Sequence, residues 1–423
     1  MTPTFDPTDP ETALDPYPAY AALRDAGPVW YSPAMNLHFI TRHADVHEAW
    51  RDRRLGSDFG DRPGFDAGAQ PWRSGDYPAF ARFERWDLLA IEPPDHTMLR
   101  RLVLTAFTPR AVEAQRARID RSVEAALEAA GERGSLDIVR DLAEPLSLGV
   151  ICDLIGVPEA ERAGVIDLSH AVVAMYEPDP AATAKARADE AAGEFLDLVH
   201  ALIADRRADS ADDLLTALTV AEAGGRRLDD DQIASTAMVL LMAGHEASVN
   251  AAANGVAAFA RHPAEWQAVV SGAVRPAVAI EEVLRWDPPL QYFHRWVLDD
   301  GITIGGPDGI AIPRGQRVAL MIGSANRDGR RFDEPDAFRA GRGETAHLSF
   351  GGGIHFCLGA PLARLELEVL FAALARRFRR FELLEGVERR AGFQFRGYSR
   401  LPIAVDDVHD EGPGPGIVGD AGR

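Results

Sequence analysis

The stretch FGGGIHFCLGAPLAR, from Phe350 to Arg364, places a cysteine in a glycine-rich turn directly before a predicted helix. Pro361 suits the first turn of a helix, so the helix is expected to begin shortly after Cys357. The positive end of the helix dipole and converging backbone N–H groups lower the pKa of a thiol at such a position. Three alternatives follow for this cysteine: a buried packing residue, a nucleophile, and a thiolate that ligates a metal or haem.

The composition of the chain excludes several classes of function. Its 423 residues include 45 Lys plus Arg and 65 Asp plus Glu, and the resulting net charge of −20 repels nucleic-acid phosphates and anionic lipids. Lys185 is the only lysine and has no GK[ST] motif around it, which excludes a P-loop nucleotide site. The two cysteines are too few for a disulfide framework, and Cys152 is expected to be buried packing.

The sequence also carries no recognisable targeting segment. The N-terminal MTPTFDP has neither the basic nor the apolar part of a secretory leader, and no run approaches about 18 consecutive apolar residues. We therefore expect a cytoplasmic protein that neither spans a membrane nor binds nucleic acid.

Hydrophobic periodicity predicts a mainly α chain with small β-sheets. Short apolar runs at 29–31 and 37–40 predict a hairpin, and β-like runs return between 292 and 320. The segment 56–94 is rich in Gly, Pro and Asp without a sustained period, so we expect a functional loop there. The predicted helices lie near residues 95–107, 110–131, 138–155, 159–175, 183–207, 229–261, 275–287 and 360–378.

The cysteine loop carries a highly specific family motif. Its pattern F-x-x-G-x-x-x-C-x-G, which starts at Phe350, resembles the haem-binding signature of cytochrome P450 enzymes. The resemblance implies that Cys357 is the axial thiolate of haem b. It also implies the cytochrome P450 fold as one domain over 1–405, with haem between the long central helix and the helix after the cysteine. The tail over 406–423 is expected to be disordered.

Two further motifs precede the loop in the order that the family shows. Glu282-Val-Leu-Arg285 is similar to the family's ExxR pair, and residues 325–328 with 332–338 are similar to its bacterial meander region. From the residues alone, Glu282 and Arg285 would form a solvated i,i+3 ion pair. The resemblance instead implies a buried structural pair that ties the helix to the meander.

Haem is a dianion, so an acidic chain needs local cations to hold its propionates. The resemblance implies such roles for two histidines and two arginines, although each of them taken singly reads as an ordinary surface charge. The residues assigned to cofactor binding are His96, Arg100, Arg295, His355, Phe350, Gly353 and Gly359.

The long predicted helix 229–261 carries the sequence AGHEAS in its middle. His245-Glu246 resembles the start of an HExxH zinc-protease motif, but Val249 stands where the second histidine is required, so a zinc protease is excluded.

The same stretch resembles the segment in which this family activates oxygen. There, small residues such as Gly244 open the helix, and an acid followed by a threonine delivers protons. Glu246 is the acid here, but Ala247 occupies the threonine position and has no hydroxyl. We therefore expect Ser248, ordered water or a substrate hydroxyl to substitute. The alternative for Glu246 is a salt bridge on the outer face of the helix.

The substrate pocket is expected to be largely apolar, and a lid is expected at 176–180 between two helices. Each assigned pocket residue taken alone is as well explained as ordinary core. The resemblance in placement assigns Phe80, Phe83, Trp86, Leu88, Met175, Met238, Leu241, Met242, Leu290, Phe293 and Phe395.

Electrons are expected to come from separate proteins. Gly224-Gly225 lacks the Rossmann spacing, and two cysteines cannot ligate an iron–sulfur cluster. A ferredoxin and a ferredoxin reductase are therefore the expected partners. Arg101, Arg110 and Arg364 are candidates for a basic docking patch, with a scattered solvated surface as the alternative.

The resemblance implies a haem-thiolate monooxygenase that inserts one oxygen atom from O₂ into a moderately large apolar substrate. Hydroxylation or epoxidation in natural-product tailoring is the preferred hypothesis. Because Ala247 weakens the usual proton relay, carbon–carbon coupling, desaturation and peroxide-driven oxidation are enzymatic alternatives. A non-catalytic haem-binding sensor is the alternative from another class.

Overall fold

The computed structural model describes residues 5–60, 62, 65, 70–177, 180–223 and 226–407, and most of these residues are helical. The helices in this part of the chain are α1 (Pro10–Leu14), α2 (Tyr17–Ala26), α3 (His43–Ala49), α4 (Pro78–Glu84), α5 (Asp95–Val103), α6 (Pro109–Ala114), α7 (Arg116–Arg133), α8 (Glu144–Ile155), α9 (Arg162–Val173), α10 (Ala182–Ala208), α11 (Leu214–Val220), α12 (Asp230–Arg261), α13 (Pro263–Val270), α14 (Pro276–Trp286), α15 (Ile322–Ala325) and α16 (Ala360–Arg377).

The strands are short and form small sheets, so the predicted mainly α class is confirmed. They are β1 (Val29–Ser32), β2 (Leu37–Ile40), β3 (Leu55–Gly56), β4 (Ser135–Asp137), β5 (Glu222–Ala223), β6 (Arg226–Arg227), β7 (Tyr292–Val297), β8 (Ile302–Ile304), β9 (Ile310–Ile312), β10 (Arg317–Met321), β11 (Phe378–Leu383), β12 (Glu388–Arg389), β13 (Tyr398–Arg400) and β14 (Pro402–Asp407).

The largest sheet has the order β1-β2-β10-β7-β3 and joins strands near the N-terminus to strands between residues 292 and 321. The predicted hairpin is confirmed, because β1 and β2 pair antiparallel with Val29 opposite Ile40. Strand β10 runs parallel to β2 and antiparallel to β7, which places Arg295 opposite Val318. A second sheet has the order β11-β14-β4, and three two-stranded sheets pair β12 with β13, β5 with β6, and β8 with β9.

Helix α12 occupies the centre of the described structure, as its sequence predicts. It begins with a capping box, in which Asp229 Oδ1 accepts from Gln232 N at 2.8 Å and Gln232 Oε1 accepts from Asp229 N at 3.0 Å. Nearly every residue after the first turn is buried, since α4, α8, α10, α14 and α16 contact it. Because α12 is packed by other helices on every side, it forms one wall of whatever space lies beside it.

Glu282 and Arg285 of helix α14 are buried, with exposed fractions of 1% and 0%. Arg285 Nε and Nη2 donate to the Glu282 carboxylate at 2.7 and 2.8 Å. The same guanidinium donates to the carbonyl oxygens of Asn326, Pro335 and Ala337 at 2.9, 2.7 and 3.1 Å. The pair is therefore not a solvated ion pair, because it fastens α14 to the segment that leads to the cysteine loop.

Two predicted segments differ from the structure. The expected loop 56–94 contains helix α4, which begins at Pro78 and buries Phe80 and Phe83 completely. Aromatic residues on one helical face outweighed the Gly and Pro content around them. Strand β14 continues to Asp407, so the first two residues of the predicted tail at 406–423 are in a strand, and the others lie outside the described residues.

Candidate active site

A cavity of about 850 Å³ lies between helix α12, the start of helix α16, the cysteine loop and strand β7. Its wall includes Cys357 on one side and Ala243, Ala247 and Ala251 of α12 on another. The small α12 side chains leave the space beside Cys357 open. The cavity therefore brings together the two segments that the sequence singled out.

Backbone hydrogen bonds shape the loop that carries the cysteine. Cys357 N donates to the carbonyl of Phe350 at 2.9 Å, which closes the turn. Burial raises the pKa of the Cys357 thiol, while the backbone N–H groups of Gly359 and Ala360 and the Arg100 guanidinium favour the thiolate and oppose the rise. These donors match what a metal-ligating sulfur needs, which is stabilisation of its anionic form.

Position 353 requires glycine because the loop backbone passes close to the backbone of Trp50. Its φ of +63° lies in the left-handed region. A Cβ on this residue would come within 2.1 Å of the Trp50 carbonyl oxygen. Gly359 differs, since a Cβ there would meet nothing within 4 Å and would extend into open space. Gly359 lines the cavity, so it leaves room for a flat ligand beside the loop.

The structure brings the four predicted cations to one end of this cavity. The His96 and His355 rings are in contact, with centroids 4.4 Å apart. Arg100, His355 and Arg295 line the cavity wall, and Arg100 donates to the carbonyl of Phe356 beside the cysteine. The Arg295 guanidinium lies 4.7 Å from the ring centre of Trp50. A cluster of cationic and imidazole groups next to the cysteine thus arises from four separate segments.

Several of these polar groups are buried without a partner in the described chain. Both ring nitrogens of His96 and Nε1 of Trp50 have no hydrogen-bond partner, and Nε2 of His355 has only Glu92 Oε1 at 3.7 Å. Burial lowers the pKa of Arg295 to about 10, which Glu92 partly offsets. Burial likewise lowers the pKa of His96 to about 4, with His355 and Arg100 adding to the shift. Unsatisfied buried donors are costly, and this set fits a flat dianion such as haem.

Glu246 on helix α12 is held by ion pairs with Arg390 and His170. Arg390 donates to both carboxylate oxygens, and His170 Nε2 lies 3.3 Å from Oε1. Burial raises the pKa of Glu246, but Arg390, His245 and His170 together lower it by more, so the pKa lies below its usual range. The carboxylate also lines the cavity. Glu246 therefore makes the salt bridge that the sequence analysis named as the alternative to proton delivery. Its role as a proton donor stays a prediction.

Gly244, Ala247 and Ser248 all line the cavity. A Cβ on Gly244 would come within 2.6 Å of Ile151 Cγ1 on helix α8, so glycine permits the close packing of the two helices. Ala247 offers no hydrogen-bonding group, whereas the hydroxyl of Ser248 is turned to a neighbouring acid, Glu366.

Glu366 on helix α16 is the functional candidate that the sequence interpretation missed. Its carboxyl is buried on the cavity wall, and Ser147 Oγ donates to Oε2 at 2.9 Å. Burial raises the pKa of Glu366 to about 7, although the hydroxyls of Ser147 and Ser248 oppose the shift. A signal was present, because Glu366 interrupts the apolar face formed by Leu362, Leu365, Val369 and Leu370 at helical spacing.

Only part of the predicted substrate pocket lines the cavity. The predicted residues on its wall are Leu88, Met242, Leu290, Phe293 and Phe395. Those that instead pack in the apolar core are Phe80, Phe83, Trp86, Met175, Met238 and Leu241. On α12 the helical period decides which residues line the cavity. Val239, Ala243 and Ala247 line it, whereas Met238 and Leu241 do not.

The wall is also more polar than predicted. Glu84 and Asp87 line the cavity, and Tyr176 OH lies 3.4 Å from a carboxylate oxygen of each. Burial raises the pKa of Asp87 to about 6 and that of Glu84 well above its usual range, where the Asp87 charge adds to the shift. Tyr176 begins the predicted lid, of which Pro178 and Asp179 lie outside the described residues.

The predicted basic patch is weaker than the sequence suggests. Arg101 and Arg110 are exposed, but Arg364 Nε and Nη2 donate to the Glu281 carboxylate at 2.7 and 3.0 Å. Its charge is therefore paired. None of the helices in the described part of the chain combines the length and apolar composition that crossing a bilayer requires.

Comparisons with known proteins agree with this geometry. The family model "Cytochrome P450" matches residues 277–395, which include the ExxR pair and the cysteine loop. The putative cytochrome P450 123 of Mycobacterium tuberculosis is 35% identical over 404 residues, covering 95% of this chain and 96% of its own. The 6-deoxyerythronolide B hydroxylase of Saccharopolyspora erythraea is 35% identical over 409 residues, covering 93% and 96%. The epothilone D-bound cytochrome P450epoK structure has a TM-score of 0.85 and 30% identity, covering 95% of this chain and 99% of its own.

Proposed function

Since the chain belongs to the cytochrome P450 family, whose members bind haem b through a cysteine thiolate, we propose that it is a monooxygenase of natural-product tailoring. Its substrate is a moderately large, mainly apolar molecule, which it hydroxylates or epoxidises with O₂. The observation that carries this proposal is the cavity of about 850 Å³ with Cys357 on its wall. The haem would occupy the part of that space beside Cys357, and the substrate would occupy the remainder.

Cys357 and the cationic end of the cavity would hold the cofactor. His96, Arg100, Arg295 and His355 would receive the propionates, and the buried ring nitrogens of His96 would gain partners that the described residues do not provide. Haem bound in this way supplies the activation of dioxygen, which an anionic sulfur ligand promotes. Every other requirement, including substrate position and proton supply, falls to the side chains of the cavity.

The similar proteins support the substrate class. One relative is named a 6-deoxyerythronolide B hydroxylase, and one similar structure contains epothilone D. The cavity of this chain suits a mainly apolar molecule with some polar groups, since apolar side chains such as Leu290 and Phe293 lie along most of its wall and Glu84 and Asp87 line one part of it.

Proton supply is assigned to Glu366 and Ser248, because Ala247 cannot take part. The Glu366 carboxyl has a pKa of about 7, so it is partly protonated at neutral pH. Its proton passes to the Ser248 hydroxyl and from there to water or a substrate hydroxyl in the cavity. Ser147 holds the Glu366 carboxylate in place from the other side.

The first prediction concerns Glu366→Gln, which keeps the shape of the side chain and removes the proton. Product formation should fall on the order of 10²-fold, with more of the consumed NADPH ending as peroxide. In the wild type, the yield of product per NADPH should fall as the pH rises through about 7, because Glu366 loses its proton there. In Glu366→Gln this pH dependence should be absent.

The matched control is Glu368→Gln on the same helix, which lies outside the cavity wall and should behave like the wild type. Product and peroxide are quantified against NADPH over pH 6 to 9 in buffers of equal ionic strength. A Glu366→Gln variant with wild-type product yield at every pH would contradict the assignment.

A second prediction concerns the substrate itself. If a substrate hydroxyl completes the route from Ser248, analogues that lack the hydroxyl nearest the oxidised carbon should waste reducing equivalents as peroxide. The test measures peroxide per NADPH for pairs of analogues that differ in that hydroxyl alone. Equal peroxide yields within each pair would mean that ordered water, and not a substrate hydroxyl, carries the proton from Ser248.

The electron donor is proposed to be a ferredoxin with its reductase. The exposed Arg101 and Arg110 suit an acidic partner, although the pairing of Arg364 with Glu281 reduces the available charge. A screen of purified ferredoxins, with the rate of haem reduction measured at rising salt, identifies the partner.

Peroxide-driven oxidation is the second candidate, and the absence of a hydroxyl at Ala247 is the observation that favours it. Product formation with the reduced ferredoxin system is compared with product formation from added peroxide. A higher rate with peroxide would select this alternative.

A further inference from the structure

Three potential metal-ligating side chains meet outside the region assigned to haem. His170 lies on helix α9, and His245 and Glu246 are neighbours on helix α12. One donor atom from each residue lies within 4.8 Å of the others. His170 Nε2 is 3.3 Å and His245 Nε2 is 4.0 Å from Glu246 Oε1. In tetrahedral zinc sites, ligand atoms lie about 3.3 Å apart, so small side-chain rotations suffice.

The tautomer of His245 is fixed in the form that a metal requires. His245 Nδ1 lies 2.8 Å from the Leu241 carbonyl oxygen, which can only accept, so Nδ1 carries the proton. The lone pair is therefore on Nε2. This atom is buried, with 1% of the side chain exposed, and has no hydrogen-bond partner in the described chain. A carbonyl behind one ring nitrogen and a free lone pair on the other is the arrangement of a ligating histidine.

Glu246 is oriented in a similar way. Arg390 binds Oε2 closely and lies 3.3 Å from Oε1, so the carboxylate is held while Oε1 faces the two imidazoles. Ligating carboxylates commonly have such a second hydrogen-bond partner. The His170 side chain is 39% exposed, which gives an ion and a water ligand access from the surface.

We propose that His170, His245 and Glu246 bind one divalent transition-metal ion, with Zn²⁺ as the reference ion, between helices α9 and α12. Two imidazoles and one carboxylate are a known zinc donor set, with water in the fourth position. This site does not appear as an HExxH motif in the sequence, because its second histidine lies on another helix and not at position 249. The ion ties α9 to the central helix next to a residue of the cavity wall.

The test is equilibrium dialysis of the haem-loaded protein against Zn²⁺ after treatment with a chelator. The wild type should bind one zinc ion per haem tightly, and its thermal unfolding midpoint should rise with zinc. His170→Ala should weaken this binding at least tenfold and abolish the thermal shift. Because His170 is partly exposed, this variant is expected to fold, whereas His245→Ala is a second variant at a buried position.

His200→Ala is the matched control. His200 Nε2 also lies near a carboxylate, 3.1 Å from Asp231 Oδ1, but the described residues provide no third donor there. His200→Ala should bind zinc like the wild type. Wild-type protein without a stoichiometric zinc ion, unchanged binding in His170→Ala, or an equal loss in His170→Ala and His200→Ala would each overturn the proposal.

Discussion

Cys357→Ser should lack the red-shifted carbon-monoxide band of thiolate-ligated iron and should lose turnover by at least roughly 10²- to 10³-fold, the range observed for a single lost electrostatic group. The serine hydroxyl has the right size but stays protonated at neutral pH, so the anionic ligand is lost. The backbone donors of Gly359 and Ala360 then have no anion to stabilise. The measurement is the absorption difference between the reduced protein with and without carbon monoxide.

Cys152→Ala is the control for this prediction. Cys152 is fully buried in helix α8, and burial raises the pKa of its thiol to about 11, so it remains a neutral packing group. Its replacement should leave the carbon-monoxide band in place. An unchanged band in Cys357→Ser would remove the basis of the proposed function.

Arg285→Ala should prevent stable retention of haem. The substitution removes five hydrogen bonds, of which three join helix α14 to the meander and two bind Glu282 on the same helix. It leaves Arg342 as the remaining guanidinium on the buried Glu282 carboxylate. Breaking a buried ion pair from one side costs about 3–5 kcal/mol. That amount is a large part of the free energy of unfolding of an ordinary domain.

Haem content per protein and the urea midpoint of unfolding are the measurements. Arg285→Lys keeps the charge but cannot bind a carboxylate and three carbonyls together, so it should lie between alanine and the wild type. Arg275→Ala, an exposed position before the same helix, should change stability by no more than about 0.5 kcal/mol. Normal haem content in Arg285→Ala would contradict the structural role of the pair.

The sequence predicted the architecture well because its strongest signals are local. Hydrophobic periodicity specified helix α12, and the glycine pattern specified the cysteine loop. Whether a residue faces a cavity or the core depends instead on the rotation and packing of whole helices, which local patterns do not encode. Phe80 and Met238 therefore lie in the core, and the partners of Glu366 became visible only from the helices packed against it.

Trp50 shows how the site depends on distant parts of the chain. It supplies the backbone oxygen against Gly353 and the ring beneath Arg295, although most of the chain's length separates it from the cysteine loop. Contacts of such long sequence separation form late, because a large loop must close first. A ribosome-bound nascent chain therefore cannot complete the site until its last helix has emerged. Capture of the cofactor is expected to follow translation rather than accompany it.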